Sequence, residues 1–188
     1  DMLLADRVAV LATDAAPVVR MADGAALDLY CRRVAGSVGA MAVRIFGAPD
    51  AVAFGLTLGR TLQLVNILRD LDEDAARDRI YLPLDRLAGH GVADGPAVRI
   101  LADPAIAGVA QDIAAQAAAG FAEAEAALRH CDTRALLPAR IMMWGYRRLF
   151  DRLVARGFAP PRQRPRLTPG EKARMAAFAL RLAPVTAR

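Results

Sequence analysis

Six polar residues in one stretch of this chain are spaced as a cation and phosphate site requires. They lie in Gln63-Leu64-Val65-Asn66-Ile67-Leu68-Arg69-Asp70-Leu71-Asp72-Glu73-Asp74 and continue to Arg77. On a helix turning about 100° per residue, Gln63, Asn66, Asp70, Glu73, Asp74 and Arg77 fall within an arc of roughly 100°. Leu58, Leu64, Val65, Leu68 and Leu71 cover most of the opposite side. One stripe therefore carries amides, carboxylates and a guanidinium on an otherwise apolar helix. Carboxylates at i, i+3 and i+4 can converge on one hard cation. Mg2+ suits such a set, because it takes one or two carboxylates and keeps positions for water and substrate phosphates.

A solvated helix face is the plain alternative. Three features count against it. Gln63 and Asn66 share the line with the acids. The apolar arc is wider than a surface helix needs. Asp70, Glu73 and Asp74 repel one another unless a cation or an arginine neutralises them. Arg69, Arg77 and Arg79 flank the acids. A metal and arginines together hold a diphosphate and stabilise the charge that grows on it as it leaves. Arg77 can equally be an ordinary salt-bridge partner of Glu73 or Asp74 at i−4 or i−3.

The elements that must position these groups read as helices. Ala and Leu are abundant and favour helix, and no stretch alternates as a strand should. Residues 8–12 are a short apolar segment and 13–17 a turn. A helix over 25–46 is ended by Gly47-Ala48-Pro49-Asp50. A second, over 51–76, carries the stripe. Pro83 forbids its simple continuation. Short helices are expected over 84–94 and 96–101. Asp103 as N-cap with Pro104 at the first position opens a long helix to about 129. Another runs over 136–156 and stops at Gly157. Residues 157–169 form a Pro- and Arg-rich connection. Thr168-Pro169-Gly170-Glu171 is a capping box that opens a last helix to about 182. Within the first helix, Ala35, Gly36, Ser37, Gly39 and Ala40 permit close approach, either by another helix or by a ligand.

The length of 188 residues suits one domain, 1–188. Net charge is +5, and Lys172 is the only lysine. That balance is compatible with a diphosphate, an anionic membrane surface or nucleic acid. Nucleic acid is disfavoured: there is no recognition-helix motif, no interleaved aromatics and no dense basic face. Cys31 and Cys131 lack any CxxC or His-rich context and read as two buried thiols in a reducing, cytoplasmic compartment. No uncharged apolar run reaches membrane-spanning length, and Asp6 and Arg7 interrupt any signal-peptide core. Arg162, Arg164 and Arg166 alternate with other residues in the Pro-rich connection. They either meet anionic lipid headgroups at the inner face of the cell membrane or lie in a solvated linker. Trp144, Met142 and Met143 read as core. His90 and His130 have no metal partner in the sequence.

Two segments together resemble the squalene/phytoene synthase family. Leu58-Gly59-Arg60-Thr61-Leu62-Gln63-Leu64-Val65-Asn66-Ile67-Leu68-Arg69-Asp70-Leu71-Asp72-Glu73-Asp74, followed by Arg79-Ile80-Tyr81-Leu82-Pro83, is similar to its second aspartate-rich signature. Tyr30-Cys31-Arg32-Arg33-Val34-Ala35-Gly36-Ser37-Val38-Gly39 is similar to its other signature. Weaker similarity extends through Arg140-Ile141-Met142-Met143-Trp144-Gly145-Tyr146 and Arg164-Pro165-Arg166-Leu167-Thr168. Around Tyr30, Arg44-Ile45-Phe46-Gly47 and Tyr146 the sequence most resembles the bacterial hopanoid-pathway members that make presqualene diphosphate.

The resemblance implies an all-α, isoprenoid synthase-type helical bundle around a central cavity. It implies Mg2+-dependent, head-to-head condensation of two farnesyl diphosphates to presqualene diphosphate. By position, Asn66, Asp70 and Asp74 are the implied metal ligands. Gln63, Arg69, Arg77, Arg79 and Arg164 are implied at the diphosphate or the adjoining chain. Val34 and Gly39 are implied beside the prenyl chain, with the small residues leaving room for it. Tyr30 and Tyr146 are expected to face the cavity near the reacting carbons. Two other readings stay open: condensation of geranylgeranyl diphosphate to phytoene, and a non-catalytic relative that binds or assembles.

The chain departs from the family pattern twice. Asp78 stands where the family commonly has Gly, and an exposed helix exit is expected to tolerate it. The family's first aspartate-rich motif has no match in residues 1–24, since Asp1, Asp6, Asp23 and Asp28 lack its surroundings. The expectation is a C-terminal two-thirds of the domain, lacking the N-terminal helices and inactive or nearly so alone.

Overall fold

The computed structural model describes Ala16 and residues 18–180. The fold is helical, as the sequence implies, with one small sheet. In chain order the elements are β1 (Val19–Met21), α1 (Gly24–Cys31), a π-helical segment (Arg32–Gly36), α2 (Ser37–Ile45), a 3-10 turn (Pro49–Ala51) and α3 (Val52–Arg69). Then come α4 (Leu71–Ala75), β2 (Arg79–Pro83), α5 (Leu84–Gly89), α6 (Ala97–Ala102), α7 (Ile106–Leu128), α8 (Leu137–Arg156) and α9 (Pro169–Ala179). The readings on residues 1–15 and Pro17, and on the end of the last helix, lie outside the described residues.

Helix α3 is the axis. It packs against α2, α7 and α8 and buries Phe54, Leu58, Leu62, Leu64, Val65, Ile67 and Leu68. By length and composition the stretch Pro49–Arg69 could cross a membrane. Here helices surround it, which is the other environment that suits an apolar helix. At the crossing with α2 the backbones nearly touch. A Cβ built on Gly39 would lie 2.0 Å from the Gly55 carbonyl oxygen, and one on Gly59 would lie 2.1 Å from the Ala35 oxygen. The small residues therefore serve helix packing first.

Several expectations need correction. The helix over 25–46 is interrupted by the π turn Arg32–Gly36, which ends on Gly36, a poor helix former. The helix over 51–76 breaks at Asp70, whose φ of −105° and ψ of 13° leave the helical region. The break turns Asp72, Glu73 and Asp74 into the first turn of α4. Negative charge is favourable at a helix start and unfavourable towards its end, so two helices suit these acids better than one. The absence of strands does not hold either. β1 and β2 pair in parallel, Val19 opposite Arg79. Both are too short, and β2 too buried, to show alternation. Asp103 does not cap a helix directly. Its side chain accepts from the Ala105 amide at 2.8 Å, and α7 starts at Ile106. The capping box forms as read: Thr168 and Glu171 bond each other's backbone amides at the start of α9.

Asp78 is at an exposed exit, as read, but it is not unconstrained. It has a φ of 53°, the left-handed region that glycine enters most easily and Asp tolerates. Its carboxylate accepts from Arg20 Nη2 at 2.6 Å and from the Ala97 amide at 3.0 Å. Those bonds hold it well below the usual carboxylate range. Residue 78 thus ties β1 to α6.

Candidate active site

Helix α3 presents Gly55, Gly59, Leu62, Gln63 and Asn66 to one side, at the three- and four-residue spacing of a helix face. Val34, Val38, Gly39 and Val43 face them from the π turn and α2, and Ala139, Met142 and Tyr146 from α8. Between them lies an apolar cleft of about 310 Å3. Its polar groups gather at one end. The Tyr146 hydroxyl donates to Asn66 Oδ1 at 3.1 Å, and Asn66 Nδ2 donates to Gln63 Oε1 at 3.3 Å. An apolar chain can lie in the cleft with its head at this rim.

Asp70 follows one turn beyond Asn66. Its two oxygens accept from Arg69 Nε at 2.8 Å and Nη2 at 2.6 Å, and Arg164 Nη2 stands 2.9 Å from Oδ1. Arg164 also donates to Glu73 at 2.9 Å. The bond to Asp70 raises the Arg69 pKa. Asp74 is half-buried, in a small hollow with Arg79 and Tyr81. Burial, then the charge of Asp70, push its pKa up to about 6, against the pull of Arg79 and Arg77. Arg77 therefore acts on Asp74 electrostatically from an exposed position.

The structure brings Gln63, Asn66 and Tyr146 together and places Val34 and Gly39 in the cleft wall. Tyr30 is elsewhere. It is buried and stacked on Tyr81, ring centroids 5.0 Å apart, and it does not line this cleft. The stripe is also less uniform than the projection implied. Its break at Asp70 leaves Glu73 exposed and in the grip of Arg164. Asp23 and Asp28 belong to other structures: Asp23 caps α1 by accepting from the Ala26 amide at 2.8 Å, and Asp28 pairs with Arg60 at 2.6 Å.

Among the described residues no three His, Cys, Asp or Glu side chains gather to hold a metal by themselves. Asn66, Asp70 and Asp74 still offer a hard-oxygen donor set of the kind Mg2+ uses with waters and phosphate oxygens completing its shell. Asp74 is half-buried, and burial and then the charge of Asp70 raise its pKa, a penalty that a cation beside the two carboxylates would relieve, so the donor chemistry fits.

The sequence did not reveal the residues that hold this end of the molecule. Arg162 is almost wholly buried and donates to both oxygens of Asp72, to Leu101 O at 2.6 Å and to Phe158 O at 2.9 Å. With Arg164 it fastens the Pro-rich connection onto α4. Arg162 is therefore committed inside the fold, and the segment is tethered at Arg162 and Arg164 rather than free to move as a linker. Met142 is not core either: it is exposed and lines the cleft. Its place was legible, since Ala139, Met142 and Tyr146 share one helical face. Trp144 is buried as expected.

A helical protein with an apolar cleft that ends on Gln63, Asn66 and Tyr146, close to the acid run, has the architecture that the family resemblance implies. Comparisons with known proteins agree. Residues 3–171 match the squalene/phytoene synthase family. The chain is 42% identical over 153 residues to a presqualene diphosphate synthase of Sinorhizobium fredii, covering 80% of this chain and 54% of that protein. It is 46% identical over 147 residues to one from Rhodopseudomonas palustris, covering 77% and 52%. A crystal structure of a dehydrosqualene synthase in complex with ligand superposes with a TM-score of 0.78 at 23% identity, over 96% of this chain and 65% of that one. The chain belongs to the squalene/phytoene synthase family. It spans about half the length of these two relatives.

Proposed function

We propose that this protein condenses two farnesyl diphosphates head to head into presqualene diphosphate, with Mg2+ as cofactor. The observation that carries the reading is the join between cleft and acids. An apolar cleft of about 310 Å3 ends on Gln63, Asn66 and Tyr146, and Asp70 follows on the same helix line.

In this reading Asn66, Asp70 and Asp74 would hold Mg2+. When bound, the metal draws negative charge from the departing diphosphate. The chain's own groups do the rest. The cleft walls seat the prenyl chain and exclude water, which would otherwise quench an allylic cation. Arg69 and Arg164 exchange Asp70 for diphosphate oxygens, and Arg77 and Arg79 add positive potential around the leaving group. The C–O bond breaks with its electron pair going to the diphosphate. The double bond of the second chain then attacks the cationic carbon, and loss of a proton closes a cyclopropane that retains one diphosphate. Tyr146 orients Asn66 at the rim. Tyr30 takes part through Tyr81, which walls the hollow beside Asp74.

We place the protein in the cytoplasm, where its two free cysteines stay reduced and where an apolar product can pass to the membrane. The test is incubation of the full-length protein with Mg2+ and farnesyl diphosphate, with products identified by mass spectrometry. Presqualene diphosphate is the expected product. Consumption of geranylgeranyl diphosphate with farnesyl diphosphate untouched would overturn the substrate assignment. Turnover of neither would favour a binding or assembly role.

A further inference from the structure

Helix α9 is apolar on two opposite sides. Inward, Phe178 is fully buried and meets Trp144 of α8 edge to face, ring centroids 5.3 Å apart. Met175 packs on Gly145, where a Cβ would meet its sulfur at 3.0 Å. Outward, Ala173, Ala176 and the C-cap Leu180 are exposed, Leu180 by 69%. Phe178 and Leu180 are two positions apart and so point about 160° from one another around the helix. A surface helix that meets only water carries its charges on the outward side. This one carries none there. Its cations, Lys172 and Arg174, are also two positions and about 160° apart, and they border the uncharged crest on its two flanks.

Those cations are unneutralised. Glu171 is the one acid of α9. It is spent on the Thr168 amide and on Arg152, which donates to both its oxygens at 2.7 Å. Arg174 lies over the rings of Trp144 and Phe178, 5.6 and 5.5 Å from their centroids, and Arg148 lies 5.3 Å from that of Trp144. Stacking on an aromatic ring holds a guanidinium in place without cancelling its charge. None of Arg148, Lys172 and Arg174 forms an ion pair among the described residues.

An exposed apolar crest between unpaired cations is complementary to an anionic lipid surface. The boundary of headgroups and acyl chains takes the crest, and the headgroup phosphates take the cations. Duplex nucleic acid would use the cations but leave Leu180 in water. We propose that α9, with Arg148 of α8 beside it, docks the protein on an anionic membrane, Leu180 entering the headgroup boundary. This surface shares no residue with the cleft or the acid run and stands independently of the prenyl-condensing reading.

The experiment is co-sedimentation of this chain with vesicles of phosphatidylglycerol and phosphatidylcholine in equal parts, and with vesicles of phosphatidylcholine alone. Binding is expected to the first only, and to weaken as salt is raised. Lys172→Gln with Arg174→Gln should weaken it roughly tenfold or more, at about 1 kcal/mol for each charge near the surface. Leu180→Asp, at an exposed position, should weaken it severalfold. Arg99→Gln with Arg129→Gln removes the same charge from exposed positions elsewhere and should leave binding unchanged. Equal binding to both vesicles would overturn the docking surface, and so would equal losses in the two double variants. Unchanged binding in Leu180→Asp, or tighter binding to duplex DNA than to the anionic vesicles, would overturn the lipid assignment. If the first double variant does not fold, Leu180→Asp decides alone. Failure of the farnesyl diphosphate assay would remove the prenyl reading and leave these outcomes as they stand.

Discussion

Gly39 and Gly55 meet backbone to backbone across the α2–α3 crossing. A Cβ on Gly39 would sit 2.0 Å from the Gly55 oxygen, and one on Gly55 would sit 2.5 Å from the Gly39 oxygen. Neither obstacle can rotate away, because both are main chain. Gly39→Ala should therefore force the helices apart and cost about 3 kcal/mol, the upper range of overpacking. Gly89→Ala meets nothing within 4 Å and should stay within about 1 kcal/mol of the parent. Urea denaturation of the two variants checks the contrast. Equal stability would mean that the crossing is looser than described.

Asp70 and Asp74 carry the prediction for chemistry. Either residue changed to Ala in the full-length protein should reduce kcat by roughly a thousandfold, the scale of losing several kcal/mol of charge stabilisation. Product formation from farnesyl diphosphate measures it. Near-normal turnover in either variant would remove the acid run from the metal site.

Asp78 offers a test that separates backbone from side chain. Asp78→Ala keeps a Cβ at a φ of 53° and loses the bonds to Arg20 and Ala97. It should lower the denaturation midpoint. Asp78→Gly loses the same bonds but relieves the backbone, so it should lower the midpoint less than Asp78→Ala does. If the order is reversed in chemical denaturation, the left-handed conformation is not what residue 78 must satisfy.

The two cysteines should differ in reactivity. Burial raises the Cys31 thiol from 9.0 to about 12, while Cys131 is only half-buried. At pH 8, iodoacetamide should label Cys131 and leave Cys31 untouched until the chain unfolds, since only the thiolate reacts. The sign for stability follows. The folded pKa lies above the unfolded one, so the contribution is complete below about pH 9 and is lost as pH rises towards 12. Labelling read by mass spectrometry, with and without urea, tests the first part. Alkaline denaturation tests the second.

What the sequence disclosed depended on how local the cause was. The apolar face of α3, the capping box at Thr168 and the union of Gln63 with Asn66 rest on spacings of three and four residues, which a helix turns into neighbours. The family resemblance placed Tyr146 at the cavity, but its bond to Asn66, 80 positions away, is set by tertiary packing alone. The break at Asp70 was hidden, because periodicity continues through it: the Asp70 amide still bonds Asn66 O, and the Asp74 amide still bonds Asp70 O. Small residues at 35–40 signalled close approach, but which neighbour approached was set by tertiary packing. The pairing of Arg162 with Asp72 had no local trace at all. A buried guanidinium in a Pro-rich stretch reads as a linker charge until its distant acceptors are known.

That pairing also has a timetable. Asp72 and Glu73 precede Arg162 and Arg164 by 90 and 91 positions. At typical rates of synthesis, roughly five to twenty seconds separate the emergence of the acids from that of their counter-charges. During that interval Arg69, Arg77 and Arg79 travel with the negative run, and Asp72 and Glu73 lack the partners that hold them in the fold. The acid run therefore acquires its full set of ion pairs only when Arg162 and Arg164 arrive to close over it.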